Sequence, residues 1–376
     1  MKKILFRKLL LDYMSFFLIA LFSSSIIIWV FQAVNFLDIM IEDGRDYMVY
    51  INYSLLNFPK ILSKLFPFVI FFSLFYVTLR YENNNELMIF WSFGINKIQI
   101  INFIFKVSIF LMLFQIFLTS LIVPKSQDMA RSFLRSSTVN FFGNFIKPKR
   151  FNDTIKGVTI YSGEKDENGN LFNIYIKKEI EDKEFQITYA KKGIFKKISN
   201  IPILVLHEGQ TIKGKNGNIT NFSFEKSDFP LIKLETNTTT YIKTQELSSK
   251  DLVKCFLQIG INQNENLSIN IENCLPQNLN NILKELYKRF FIPLYIPLLM
   301  TLPLLLLITS KENLNYSRVK VFTFCFGLLI IIFSETSIRL ISNTIHKNYS
   351  IIILPIIIFL FLYAFYLKNF IFIKKK

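Results

Sequence analysis

ENNNELMIFWSFGINK, residues 82–97, lies between two long apolar stretches and decides how both are read. It is too polar to cross a membrane, so the apolar residues on either side form two crossings rather than one. It is also too patterned for a plain turn. Leu87, Phe90, Trp91 and Gly94 fall at i, i+3, i+4 and i+7, one face of a helix. Asn83, Asn84 and Asn85 offer N-caps. Glu86 puts a carboxylate in the first turn, where the helix dipole favours it, and Gly94 is a natural stop. The expectation is a short, acid-headed amphipathic helix over 83–94.

Working outward, six apolar segments have the roughly 20 residues needed to cross a bilayer core. They cover about 14–36, 61–79, 98–123, 290–309, 319–341 and 350–367. Pro293, Pro297 and Pro303 fall within the fourth span and predict a kink. The first span is too long for a cleavable leader, and no small-residue cleavage site follows it. At 51% hydrophobic residues and a mean hydropathy of +0.36, the chain is too apolar for an ordinary soluble protein.

Lys and Arg in the short loops set the orientation. Lys2, Lys3, Arg7 and Lys8, the pair Arg80 and Lys97, then Lys311, Arg318 and Lys320, and finally Lys368 and Lys374 to Lys376 fall on one side. The opposite short loops hold only Arg45, Lys60 and Lys347, besides Asp38, Glu42, Asp43 and Asp46. Both termini and residues 82–97 are therefore expected in the cytoplasm, with 124–289 outside. The formal charge of +17 does not imply nucleic acid, because Lys, Ile, Asn and Phe are abundant throughout and no nucleic-acid module is present.

Between about 140 and 245 the pattern changes to short alternating runs such as GVTIYSGE, LFNIYIKKE and EFQITYAKKGIF. Turn signals ENGN (167–170) and KGKNGN (213–218) separate them. This predicts an antiparallel β domain, a sandwich or jelly roll, inserted between the third and fourth spans. The helical pattern returns from about Leu247 into LKELYKRF (283–290). The organisation expected is helices one to three over 1–123, the outer domain over 124–289, and helices four to six over 290–376.

Catalytic chemistry finds little footing. The chain has no phosphate loop, GxSxG elbow or HExxH helix. ATP hydrolysis is not expected on this chain, nor is a cofactor. His207 and His346 lie far apart without a ligand set, so no metal is expected. Cys325 lies in an apolar run, while Cys255 and Cys274 are left as either a disulfide or two thiols. In FSETSIRL (333–340), Glu335 and Arg339 stand four apart on one helical face. They are either an i, i+4 ion pair or a functional pair in which the cation meets an anionic lipid headgroup. Glu335 falls about 24 Å along the fifth span, near the outer interface.

Three spans, an outer β domain and three more spans resemble the LptF/LptG permeases of lipopolysaccharide export over nearly the whole chain. NELMIFWSFGIN (85–96) is similar to that family's coupling helix, with Glu86 and Gly94 on its acid and glycine. NFLDIMIEDG (35–44), ELYKR (285–289) and ETSIR (335–339) resemble further family segments, and the first and last favour the LptF type. The first span departs from the family in lacking a basic residue near its outer end before Arg45. The resemblance implies a multi-pass protein of a Gram-negative inner membrane and a non-catalytic transport subunit. It would pair with a sister LptG-like permease, a cytoplasmic ATPase dimer and a periplasmic bridge protein. Glu86, Leu87, Phe90, Trp91 and Gly94 would couple to the ATPase, and Arg339, Glu335 and Arg45 would contact lipopolysaccharide. Two other classes remain: a membrane-anchored scaffold whose β domain binds partners, and a permease of another ATP-driven envelope system.

Overall fold

The computed structural model describes residues 2–41, 47–146, 148–155, 158–166, 169–181, 184–198, 201–215, 218–230, 243–260, 274–342 and 345–372. These form two compact units: Met1–Val30, Asn57–Asp128 and Tyr241–Lys376 in the first, Phe31–Leu56 and Met129–Thr240 in the second.

Six helical stretches are long and apolar enough to cross a membrane: Lys2–Leu37, Tyr47–Asn83, Lys97–Leu134, Pro276–Leu307, Tyr316–Leu340 and Asn348–Phe370. The helices are α1 (Lys2–Ile41), α2 (Tyr47–Leu56), α3 (Phe58–Asn83), α4 (Glu86–Ser92), α5 (Lys97–Phe117) and α6 (Val123–Phe145) before the sheet. After it come α7 (Ser249–Gly260), α8 (Leu279–Leu286), α9 (Tyr295–Thr301), α10 (Tyr316–Leu340) and α11 (Ile345–Leu367). A π-turn at Leu118–Ile122 joins α5 to α6.

The fourth span is more broken than a single kink. A π-turn (Tyr287–Phe291), a 3-10 turn (Ile292–Leu294), α9 and a 3-10 stretch (Leu302–Leu307) follow one another. Pro293, Pro297 and Pro303 each lack an N–H and crowd the preceding turn, so no uninterrupted α-ladder can form. This segment is nonetheless the most enclosed, with 78% of its apolar window buried. It packs against α3, α5, α10 and α11. Tyr13, Ile70, Phe71, Ile101, Tyr295, Leu299 and Tyr366 fill the centre of that core. The Tyr366 hydroxyl donates to the Thr301 carbonyl at 2.8 Å, so this buried polar group is satisfied. Gly327 lets α10 approach α3 closely: a Cβ there would lie 2.1 Å from Cζ of Phe71.

In the second unit, β1 (Phe151–Ile155), β2 (Val158–Lys165), β3 (Leu171–Glu181), β4 (Glu184–Ile198), β5 (Ile201–Lys215) and β6 (Asn218–Pro230) form one antiparallel sheet. The choice left open between sandwich and jelly roll is answered, among the described residues, by a meander in which each strand pairs with its sequence neighbours. One face buries Ile160, Ile174, Ile176, Ala190, Leu204 and Leu206. The other carries a cross-strand ladder in which Phe151 faces Tyr161, Tyr161 faces Tyr175, and Tyr175 faces Tyr189. Such directly opposed aromatic pairs pin strand register.

Candidate functional site

Two places in the first unit concentrate polar chemistry. The first surrounds α4. Its left-handed N-cap residue, Asn85 (φ +59°), makes no side-chain cap; instead Nδ2 of Asn84 donates to Oε1 of Glu86 at 3.3 Å. The C-terminus closes as a Schellman motif. The Gly94 amide donates to the Trp91 carbonyl and the Ile95 amide to the Phe90 carbonyl, each at 3.0 Å. Gly94 at φ +67° supplies the left-handed residue that this turn requires.

The face that the helical periodicity marks is turned inward. Leu87 and Phe90 are buried in the bundle, Phe90 lying 6.5 Å from the Phe6 ring and 6.1 Å from Tyr81. Trp91 packs half-buried against the same core. Leu87, Phe90 and Trp91, three of the residues expected to couple to an ATPase, thus hold α4 onto its own chain. Met88 at 63%, Ile89 at 45% and Phe93 at 44% are the exposed apolar side chains. Amphipathic spacing finds the buried stripe but does not say whether its partner lies within the chain.

Polar ties fix α4 to distant segments. Glu86 meets the Lys8 ammonium at 3.5 Å, and Lys2 donates to the Gly94 carbonyl at 3.1 Å. Glu82 accepts from the Lys311 amide at 3.0 Å. Lys97 donates to the Leu307 carbonyl while lying 5.7 Å from the Trp91 ring and 5.5 Å from Phe370. The turn holding α4 thus touches the start of α1, the end of the broken span and Phe370 beyond α11.

The second place is a cavity of about 800 Å³ lined by residues of α3, α5, α8, α10, both π-turns and the segment 243–245. Its floor is organised by Arg289, whose side chain is 1% exposed. The guanidinium donates to Glu285 Oε1 (3.1 Å), the Leu247 carbonyl (3.0 Å), Ser249 Oγ (2.9 Å) and the Gln245 carbonyl (3.0 Å). Thr119 Oγ1 donates to the Arg289 carbonyl at 2.9 Å, and Ser249 Oγ to the Ser120 carbonyl at 2.6 Å. One arginine therefore joins the two π-turns and the chain entering α7. A disulfide between Cys255 and Cys274, with Cα atoms 5.9 Å apart, ties α7 to the start of the next helical stretch.

Of the residues expected to contact lipid, Glu335 and Arg339 are not brought together. Glu335 lines the cavity, whereas Arg339 is exposed on α10 and is not among the lining residues. The two form no ion pair with each other among the described residues, which removes the i, i+4 alternative. Arg45 lies outside the described residues. Sequence reading gave no site role to Lys64, Lys284, Gln115 or Arg289, although Arg289 stood in the quoted ELYKR. Its available signals were i, i+4 stripes at the span ends, Lys60 with Lys64 and Lys284 with Lys288, and an amide inside an apolar span.

Comparison with known proteins adds an independent line. The family described as "Lipopolysaccharide export system permease LptF/LptG" matches residues 7–369. An uncharacterised protein of Rickettsia prowazekii (strain Madrid E) is 26% identical over 239 residues, 63% of this chain. That match spans 65% of the relative's length.

Proposed function

Because this chain belongs to the lipopolysaccharide export system permease LptF/LptG family, we propose that it is one permease subunit of an ATP-driven lipopolysaccharide exporter. The observation that carries the proposal is the family match over 7–369, laid on six apolar helices interrupted by an antiparallel sheet between the third and fourth. In this reading both termini are cytoplasmic and the sheet is periplasmic. The subunit pairs with a sister permease, takes lipopolysaccharide from the outer leaflet of the inner membrane and passes it to a periplasmic bridge.

The energy comes from a separate ATPase dimer. The short helix α4 is its handle, offering Met88, Ile89 and Phe93 to a groove, with Glu86 beside them. Leu87 and Phe90 make the handle stiff by anchoring it in the bundle. The ties from α4 and the residues flanking it to Lys2, Lys8 and Lys311 supply a path by which ATPase closure moves several helices together. Arg339 is exposed on α10, where a guanidinium suits a lipid phosphate.

Affinity purification of the tagged chain tests the reading. It expects a second six-span permease, an ATPase and lipopolysaccharide in stoichiometric amounts, and ATP-dependent lipid release in vesicles. A chain that purifies without an ATPase, while its sheet captures periplasmic proteins, would establish the scaffold alternative instead.

A further inference from the structure

The helix α1 is longer than a membrane crossing requires. Its 40 residues reach about 60 Å at 1.5 Å per residue, roughly twice the thickness of a bilayer core. The extra turns at its start carry Lys2, Lys3, Arg7, Lys8 and Asp12, ahead of an uncharged run from Tyr13 to Leu37. These turns are tied along their length. Lys2 donates to the Gly94 carbonyl at 3.1 Å, and the Phe6 ring lies 6.5 Å from Phe90. Lys8 meets Glu86 at 3.5 Å, and the Tyr81 hydroxyl donates to Asp12 Oδ2 at 2.6 Å. Positions 2, 6, 8 and 12 thus meet 94, 90, 86 and 81, in strict reverse order. The first three turns of α1 run alongside the whole of α4 and the end of α3.

The four ties are unequal. Lys8 has 58% of its side chain exposed, Lys2 is exposed as well, and polar ties at the surface contribute little. Tyr81 is buried, and its bond to a carboxylate is short and charge-assisted. It also gives a partner to an acid that stands one residue from the apolar run, where an unpaired charge is costly. Phe90, buried between Phe6 and Tyr81, connects this bond to α4 itself. Beyond this end α1 is loosely enclosed. Only 17% of its apolar window is buried, against 78% in the fourth span. Its buried apolar side chains among the described residues, Leu9, Tyr13, Phe17 and Leu21, all lie in its first half. A helix gripped firmly at one end and loosely enclosed along the rest can be moved as a rod.

We propose that α1 is the helix that α4 drives: its first three turns and α4 move as one body, and Asp12 is the positioning residue that locks them together through Tyr81. The proposal rests on the reading of α4 as an ATPase handle only for the source of the motion.

The test uses the full chain purified with its partner permease and ATPase in nanodiscs, carrying Cys325→Ser; Cys255 and Cys274 are joined and take no label. Spin labels on Ile4→Cys and Ser92→Cys, both exposed and outside the four ties, read the spacing of α1 and α4. That spacing should stay narrow and unchanged when a non-hydrolysable ATP analogue is added, while the spacing from Ile4→Cys to Lys320→Cys on α10 shifts. Asp12→Leu and Tyr81→Phe should each broaden the 4–92 spacing and cut the lipid released per ATP roughly tenfold, the scale of one lost hydrogen bond to a charged group. ATPase recovery and ATP hydrolysis should stay at the wild-type level, which general damage to the bundle would lower as well. The double variant should be no worse than either single change, because both remove the same bond. Asp12→Asn, which keeps an acceptor, should stay close to wild type. Normal coupling in both single variants, additive losses in the double variant, or a 4–92 spacing that changes with nucleotide overturns the proposal. A wild-type chain that recruits no ATPase fails the export reading instead, and is told apart because Tyr81→Phe still broadens the 4–92 spacing of the chain alone.

Discussion

Arg289→Met is the sharpest perturbation of the cavity floor. The wild-type guanidinium is 1% exposed and makes four hydrogen bonds of 2.9–3.1 Å. Methionine keeps much of the volume and removes every donor. Glu285 then retains only Lys288 at 3.7 Å, and the Gln245 and Leu247 carbonyls lose their guanidinium donor. Breaking one side of a buried ion pair costs about 3–5 kcal/mol, and each stranded acceptor about 1–3 kcal/mol. The terms overlap, and water from the cavity replaces part of the loss. A net cost of about 4 kcal/mol is the working figure. At about 1.4 kcal/mol per factor of ten, local opening of the segment entering α7 should rise roughly a thousandfold. Hydrogen exchange of the full chain in nanodiscs reads this directly through amides 245–260. Arg289→Lys, which keeps the charge without the planar fork, should fall in between. Wild-type exchange rates in Arg289→Met would show that the return segment is held by something else, and the clasp described here would be wrong.

The α4 face makes opposite predictions for neighbouring residues. Phe90→Ala should destabilise the bundle by about 3–5 kcal/mol in denaturant melts, whereas Met88→Ser with Ile89→Ser should leave melting unchanged and weaken ATPase co-purification. Glu86→Lys, placed beside Lys8, should also reduce ATPase recovery; a full complement of ATPase with normal export would refute the handle role. Gly327→Ala drives a methyl into Phe71 and should cost about 1–3 kcal/mol, recovered in part by Phe71→Leu; no recovery means the contact does not limit α10. The swap of Glu335→Arg with Arg339→Glu should not restore export, since the two side chains form no pair, and restoration would contradict their separate environments. Maleimide labelling of the denatured, unreduced chain should reach Cys325 alone, and labelling of Cys255 or Cys274 before reduction would exclude the disulfide.

The six spans, the sheet between the third and fourth, and the short helix at 83–94 were legible because each follows from local rules. A bilayer sets a length, a pleat sets a period of two, and a helix sets a period of 3.6. Gly94 announced its left-handed turn because few other residues tolerate that conformation. The break-up of the fourth span was half visible in its prolines; how far the ladder would dissolve depended on neighbours able to enclose it. Direction was not legible at all. The stripe of Leu87 and Phe90 reads the same whether it meets a partner or its own bundle, and only packing against Phe6 and Tyr81 decides. The same holds for charge. Glu335 and Arg339 share a helical face, yet Glu335 joins lysines from α3 and α8 that stand more than 40 residues away along the chain, and Arg339 does not. Sequence records spacing within one element. A site assembled from several elements depends on how their faces meet, and that is a property of tertiary packing alone.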